Sequence, residues 1–86
     1  MKSIHKYRLD TTHEDKISVM MPRIAKIVRV ASQNGQPYLW AIVDTESPLI
    51  ERHYRMIATG QPIPGGHDHV ASFDKNNGES TWHLFE

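Results

Sequence analysis

The sequence predicts an all-β domain: a small, mostly antiparallel sheet sandwich or partly open barrel of five to seven strands. Three observations predict it. Apolar and polar residues alternate with a period of two in "IHKYRL", "KISVMMP" and "HYRMIA", the pattern of side chains that point to opposite faces of a strand. Two Asn-Gly pairs, Asn34-Gly35 and Asn77-Gly78, separate such runs. Both residue types tolerate the positive φ that tight hairpins demand. Turn signals recur about every ten residues, the spacing of a sandwich or barrel.

Residues 4–9 read as a first strand, with His5, Tyr7 and Leu9 on one face and Lys6 and Arg8 on the other. Ile4 breaks that pattern. Residues 10–15 are polar and turn-like, with Thr12 placed to cap one helical turn against Asp15. The next run alternates Ile17, Val19 and Met21 and stops at Pro22. That suits an edge strand, expected to form a hairpin with the first.

Residues 23–31 fit two templates. Ile24, Ile27, Val28 and Ala31 make a helical face; Val28 and Val30 opposite Lys26 and Arg29 make a rougher strand. Shortness, β-branching and the Asn34-Gly35 turn that follows favour the strand. The returning run 38–43 is apolar on both faces: Tyr38, Trp40 and Ile42 on one, Leu39, Ala41 and Val43 on the other. Such a strand belongs in the middle of a sheet covered on both sides. Pro37 stands at its start, where a missing N–H matters least.

Residues 45–52 read as a loop around Pro48, and residues 53–60 as a strand with Tyr54, Met56 and Ala58 together. Residues 61–66, with Pro62 and Pro64, form an extended turn. Residues 67–73 and 80–86 close a last hairpin. The expected core is Val28, Val30, Leu39, Trp40, Ala41, Ile42, Val43, Ile57, Val70, Trp82 and Leu84.

The 86 residues make one domain, 1–86. A chain of this size buries roughly 64% of its extended surface. That leaves little surplus stability, so a homodimer is a natural way to gain more. There is no cysteine, hence no disulfide and no thiolate chemistry. "MKSIHKYRLD" has no apolar signal-peptide region, and no run has the apolar length of a membrane helix, so no membrane partner is expected. Formal net charge is zero. Yet residues 1–43 hold seven Lys/Arg against three Asp/Glu, and residues 44–86 hold three against seven. Folding is expected to interleave the two halves.

Six histidines invite a metal- or metabolite-binding reading. His67 and His69 lie two apart, on one face of a strand, and His83 lies on the partner strand. With a tight turn, Ala71 falls near His83, and His69 is its diagonal neighbour. His53 is the candidate fourth ligand. No spacing matches a structural zinc motif, so rim histidines are the simpler account, and no metal or other cofactor is expected. Asp10, His13 and Glu14 share one loop, and Asp44 and Glu46 another. No GxSxG, HExxH or phosphate-cradling loop accompanies them, so no enzymatic activity is expected.

Lys2, Lys6, Arg8, Lys26, Arg29, Arg52 and Arg55, with Tyr7, Tyr38 and Trp40 for stacking, are the elements of an oligonucleotide-binding barrel. Zero net charge weakens that attraction, and Trp40 is expected in the core, so nucleic acid ranks second. The leading expectation is a non-catalytic protein-binding module. The closing strand is apolar on both faces, with Trp82 and Leu84 opposite Phe85, and needs cover from the fold, a partner or a second copy. The expected contact surface joins Tyr7 or Tyr54 to Arg52 and Arg55. Asp44, Glu46 and Glu51 form its rim.

Five pieces occur in a fixed order: "IHKYRL", Met21-Pro22, "NGQPYLWAIVD", "TGQPIP" and the terminal "WHLFE". Together they resemble, from end to end, a family of small uncharacterised bacteriophage-encoded proteins. The resemblance implies a phage accessory product made in the host bacterial cytoplasm. Such products bind and redirect a host protein or blunt a defence system. It implies no activity and no site residue.

Overall fold

A computed structural model describes residues 1–12 and 16–86. The Asp15 end of the expected Thr12 cap lies outside the described residues. Seven strands form among the described residues: β1 (Lys2–Arg8), β2 (Lys16–Pro22), β3 (Ala25–Gln33), β4 (Gln36–Asp44), β5 (Leu49–Ala58), β6 (His69–Lys75) and β7 (Ser80–Phe85). They build two antiparallel sheets, ordered β1-β4-β3 and β2-β5-β7-β6, that do not close into a barrel. There is no α-helix among the described residues; Asn76–Gly78 makes one 3-10 turn. Both Asn-Gly pairs act as hairpin turns, with Asn34 and Asn77 at φ of 52° and 56°.

The expected hairpin of the first two strands does not form. β1 pairs along its whole length with β4, and β2 with β5. The Leu9 N–H extends the first ladder by donating to the Pro37 carbonyl at 3.0 Å, and Gln36 Nε2 donates to the Leu9 carbonyl at 2.8 Å. Leu9 is fully buried there, so the chain crosses from one sheet to the other around a core residue.

β3 resolves the ambiguous run. Its register against β4 shifts between Ile27 and Arg29, a bulge that inserts Val28 as an extra residue. Before it Ala25 and Ile27 turn inward; after it Val30 and Ser32 do. The helix-like spacing was a strand pattern with one residue added. β5 begins at Leu49, four residues earlier than expected, because Pro22 and Leu49 already pair.

The core lies between the sheets. Leu39, Ala41, Val43 and Val30 from the three-stranded sheet meet Ile17, Val19, Met21, Tyr54, Met56, Leu84 and Phe73. The expected core placement fails for three residues. Leu39 and Ala41 are 0% exposed, whereas Ile42 is 37% and Val28 47% exposed, and Trp40 is half-buried. β4 is central within its sheet, but that sheet is covered on one face only. Val70 and Trp82 pack partly buried against the core, and Ile57 is buried.

One polar clamp closes an end of the sandwich. Arg52 of β5 donates from Nε and Nη2 to the two Glu86 carboxylate oxygens, each at 2.6 Å, and from Nη1 to the Ala25 carbonyl of β3 at 3.3 Å. It thereby joins the last residue to both sheets. Glu86 raises the pKa of the Arg52 guanidinium, with burial opposing.

Candidate nucleic-acid interface

Strand alternation assigns the outer face of the three-stranded sheet. The β1–β4 register sets Lys2, Ile4, Lys6 and Arg8 beside Asp44, Ile42, Trp40 and Tyr38. On the other side of β4, Lys26, Arg29 and Ala31 stand beside Ile42, Trp40 and Tyr38. The bulge at Val28 brings Arg29 opposite Trp40; without it an apolar residue would stand there. Lys2, Lys6, Arg8, Lys26 and Arg29 are all exposed. The acid in these three strands is Asp44, at the end of the face, with the N-terminal amine 3.6 Å away.

The charge asymmetry along the chain therefore survives folding. All three strands of this sheet come from residues 2–44, nearly the whole basic half, with only β2 of that half placed in the other sheet. Interleaving does not erase it.

The centre of the face is aromatic. Tyr38 and Trp40, two apart on β4, have ring centroids 6.3 Å apart and planes tilted by 52°. Lys6 Nζ sits 4.1 Å from the Tyr38 centroid and 5.5 Å from that of Trp40. It also donates to Gln33 Oε1 at 2.7 Å, so it bridges over β4 from β1 to β3. The Arg29 guanidinium lies 5.1 Å from the Trp40 centroid. Both rings are half-buried. They are held by cation–π contacts on a rigid strand and not by the core.

Of the expected protein-contact set, Arg52 and Tyr54 are brought together, the guanidinium 5.9 Å from the ring centroid, but within the fold and not as an exposed surface. Tyr54 is 1% exposed, its hydroxyl donating to Met21 Sδ at 3.5 Å inside the sandwich. Burial lifts its pKa to about 12. Arg52 is committed to Glu86 and Ala25. Tyr7 packs half-buried against the core, with its pKa raised by burial. Arg55 is half-buried on β5, Glu51 contacts His53, and Glu46 lies beside the N-terminal amine.

The histidines separate into two groups. His53 contacts Ser18 Oγ at 3.1 Å and Glu51 at 3.3 Å, and His67 Nδ1 donates to the Gly65 carbonyl at 3.0 Å. His69 and His83 come together on the outer face of the four-stranded sheet, both on Ser72 Oγ. The partner of His83 across the ladder is Ser72 and not Ala71, because the four-residue connection 76–79 pairs Lys75 with Ser80. Among the described residues no group of three His, Asp or Glu is arranged to hold a metal ion. His13 and Glu14 of the loop considered for hydrolysis lie outside the described residues.

The comparison with known families covers the entire chain. Residues 1–86 match "Domain of unknown function (DUF7352)". The chain belongs to this family. No curated protein and no solved structure matches it. Membership of DUF7352 agrees with the expectation of an uncharacterised family.

Sequence reasoning assembled most of the basic and aromatic residues of the face but ranked it second. The signal that would have raised it is charge on the neighbouring strands. Lys6 and Arg8 alternate outward on β1, so the partner strand must carry its outer residues beside them. A face lined by lysine and arginine is not a core face.

Proposed function

We propose that the chain is a non-catalytic binding module whose ligand is single-stranded nucleic acid, held on the outer face of the three-stranded sheet. The observation that carries this reading is the Lys6–Tyr38–Trp40–Arg29 cluster at the centre of a basic sheet face. Stacked bases need exposed aromatic or guanidinium planes, and the backbone needs cations tracking beside them. Flat strands suit an unpaired strand better than a duplex, whose grooves call for a protruding helix or ribbon. The resemblance to phage-encoded proteins gives this reading its setting, a phage accessory product in the host bacterial cytoplasm.

A second reading, a host or defence protein as partner, is favoured by Ile4 and Ile42. These two are direct neighbours across β1 and β4, 61% and 37% exposed on the same face. The two readings predict opposite responses to salt. Fluorescence anisotropy with labelled oligonucleotides of single and double strands separates them. The expected result is retention of the single strand at low salt. If Lys6, Arg8, Lys26 and Arg29 each neutralise a phosphate, log K falls with log salt at a slope of about −3. Lys6→Glu and Arg29→Glu should each lower affinity at least about tenfold without changing the melting temperature greatly. No retention of any oligonucleotide at low salt overturns the nucleic-acid reading. A salt-tolerant protein complex abolished by Ile4→Glu then supports the second.

A further inference from the structure

We propose that His69 and His83 form a two-imidazole site for a borderline divalent transition metal, with zinc as the reference ion. The site lies on the outer face of the four-stranded sheet and is independent of the nucleic-acid reading.

The argument begins with the β-bulge. The β6–β7 register shifts between His69 and Ala71, leaving Val70 as the inserted residue. In an unbroken strand His69 would share the inward face of Ala71 and Phe73. The bulge turns it outward, where it joins Ser72 and His83. Its ring stands edge-on to Phe85 at 5.4 Å and 70°, which orients it. His69 Nε2 and His83 Nδ1 then aim at one point, occupied by Ser72 Oγ at 2.9 and 2.6 Å.

The proton arrangement on His83 follows from its neighbours. Thr59 Oγ1 donates to the Thr81 carbonyl at 3.1 Å, since a carbonyl only accepts. The Thr59 oxygen therefore accepts from His83 Nε2–H at 2.8 Å. A neutral His83 is left with a bare Nδ1, facing Ser72. This is the device that fixes a metal-ligating histidine: one ring nitrogen donates to a second group, so the other presents its lone pair to the ion. The one Ser72 hydroxyl proton is then given to His83 Nδ1, so the Ser72 oxygen accepts from His69 Nε2–H. On binding the ion, His69 moves that proton to Nδ1 and offers Nε2.

An ion held at about 2.0–2.1 Å by both nitrogens would draw the two rings closer and replace the bridging Ser72 hydroxyl, which turns aside. No third His, Asp or Glu of the described residues reaches the position. Water or an external ligand would complete the coordination. Imidazole selects zinc, nickel and copper over magnesium and calcium, which prefer oxygen.

The test is calorimetric titration of the full, untagged chain near neutral pH with zinc, and with magnesium as the contrasting ion. One zinc per chain and no magnesium are expected, with the melting temperature raised by zinc. His69→Ala and His83→Ala should each remove the zinc response. Thr59→Val should weaken it about tenfold through loss of the orienting contact. Ser72→Ala, His53→Ala and His67→Ala should leave it in place. His69 is exposed, so His69→Ala keeps the test decisive even if His83→Ala destabilises the fold. Absence of zinc binding, or binding that persists in both His69→Ala and His83→Ala, overturns the proposal.

Discussion

The outer faces of the two sheets treat their apolar residues in opposite ways. On the four-stranded sheet, Ile57 and Phe85 point outward yet are only 4% and 7% exposed. They line a groove of about 220 Å³ together with Thr59, Gly60, Gln61 and Ile63, from the connection between β5 and β6. That connection is pinned at its far end, where Asp68 and Glu86 exchange backbone hydrogen bonds at 2.8 and 2.9 Å. On the three-stranded sheet, Tyr38, Trp40 and Ile42 have no such cover among the described residues, and Lys6 and Arg29 lie beside the two rings. The chain thus has a segment that covers an outer face, and it lies on the other sheet. Exposure of Tyr38 and Trp40 is a property of the fold's connections and not of a shortage of residues.

The largest test of this contrast compares truncations. Leu39→Ala, on the inner face of β4, should cost roughly 2–5 kcal/mol. That is a loss of about 10 °C or more in melting temperature for a domain of this size. Phe85→Ala should cost about 2–4 kcal/mol, because its ring is covered although it faces outward. Trp40→Ala, one residue from Leu39, should cost no more than about 1 kcal/mol, the scale of an exposed cation–π contact. Thermal melts of the three variants check this order. A Trp40→Ala loss as large as that of Leu39→Ala would mean that Trp40 is a core residue and that the face is not built for a ligand.

Much of the fold was legible and one aspect of the face was not. Period-two runs and two Asn-Gly turns fixed the class and most strands, because those signals are local. Leu39, Ala41 and Val43 were readable as a face, but so were Tyr38, Trp40 and Ile42, since nothing in β4 alone says which side another sheet will cover. Pairing partners are non-local. β1 was read with β2 because it precedes it, whereas its Lys6 lies beside Trp40 of β4. Bulges were also hidden. Inserting Val28 or Val70 changes the phase of a strand without changing its composition. Each bulge then decides which side Arg29 or His69 takes. The residues of both candidate sites were visible as types; their convergence depended on two inserted residues and one long-range pairing.

An intermediate effect concerns the clamp that links the sheets. Arg52 and Glu86 are partly exposed, at 19% and 33%, so solvent screening reduces the value of their ion pair. The paired geometry and the bond to the Ala25 carbonyl keep a contribution of about 1–2 kcal/mol. Arg52→Ala should lower stability by about that amount. Charge reversal at Arg52 should lower it further, by setting a second acid against Glu86. If oligonucleotide binding is unchanged in Arg52→Ala at a temperature where the variant is folded, the clamp is structural and the interface lies on the other face. Equal melting curves for wild type and Arg52→Ala would remove the clamp from this account.

The smallest effect at neutral pH, and the one that isolates the interior, belongs to Tyr54. Its buried hydroxyl donates to the Met21 sulfur, a weak acceptor, so Tyr54→Phe should cost less than about 1 kcal/mol at pH 7. Alkaline pH changes that. Burial disfavours the phenolate and lifts the Tyr54 pKa from the usual 10.0 to about 12. In the unfolded chain the phenol ionises at the usual value, so above about pH 10 the unfolded state loses this proton first. The stabilisation from keeping Tyr54 neutral is whole below that pH and is lost as pH rises through about 12. Tyr7, raised by burial as well, acts in the same direction. Melting temperatures recorded from neutral pH to about pH 12 should fall more steeply for wild type than for Tyr54→Phe, since phenylalanine has no proton to lose. Parallel curves would place the Tyr54 hydroxyl in contact with water, and the seal between the two sheets would then be incomplete at β5.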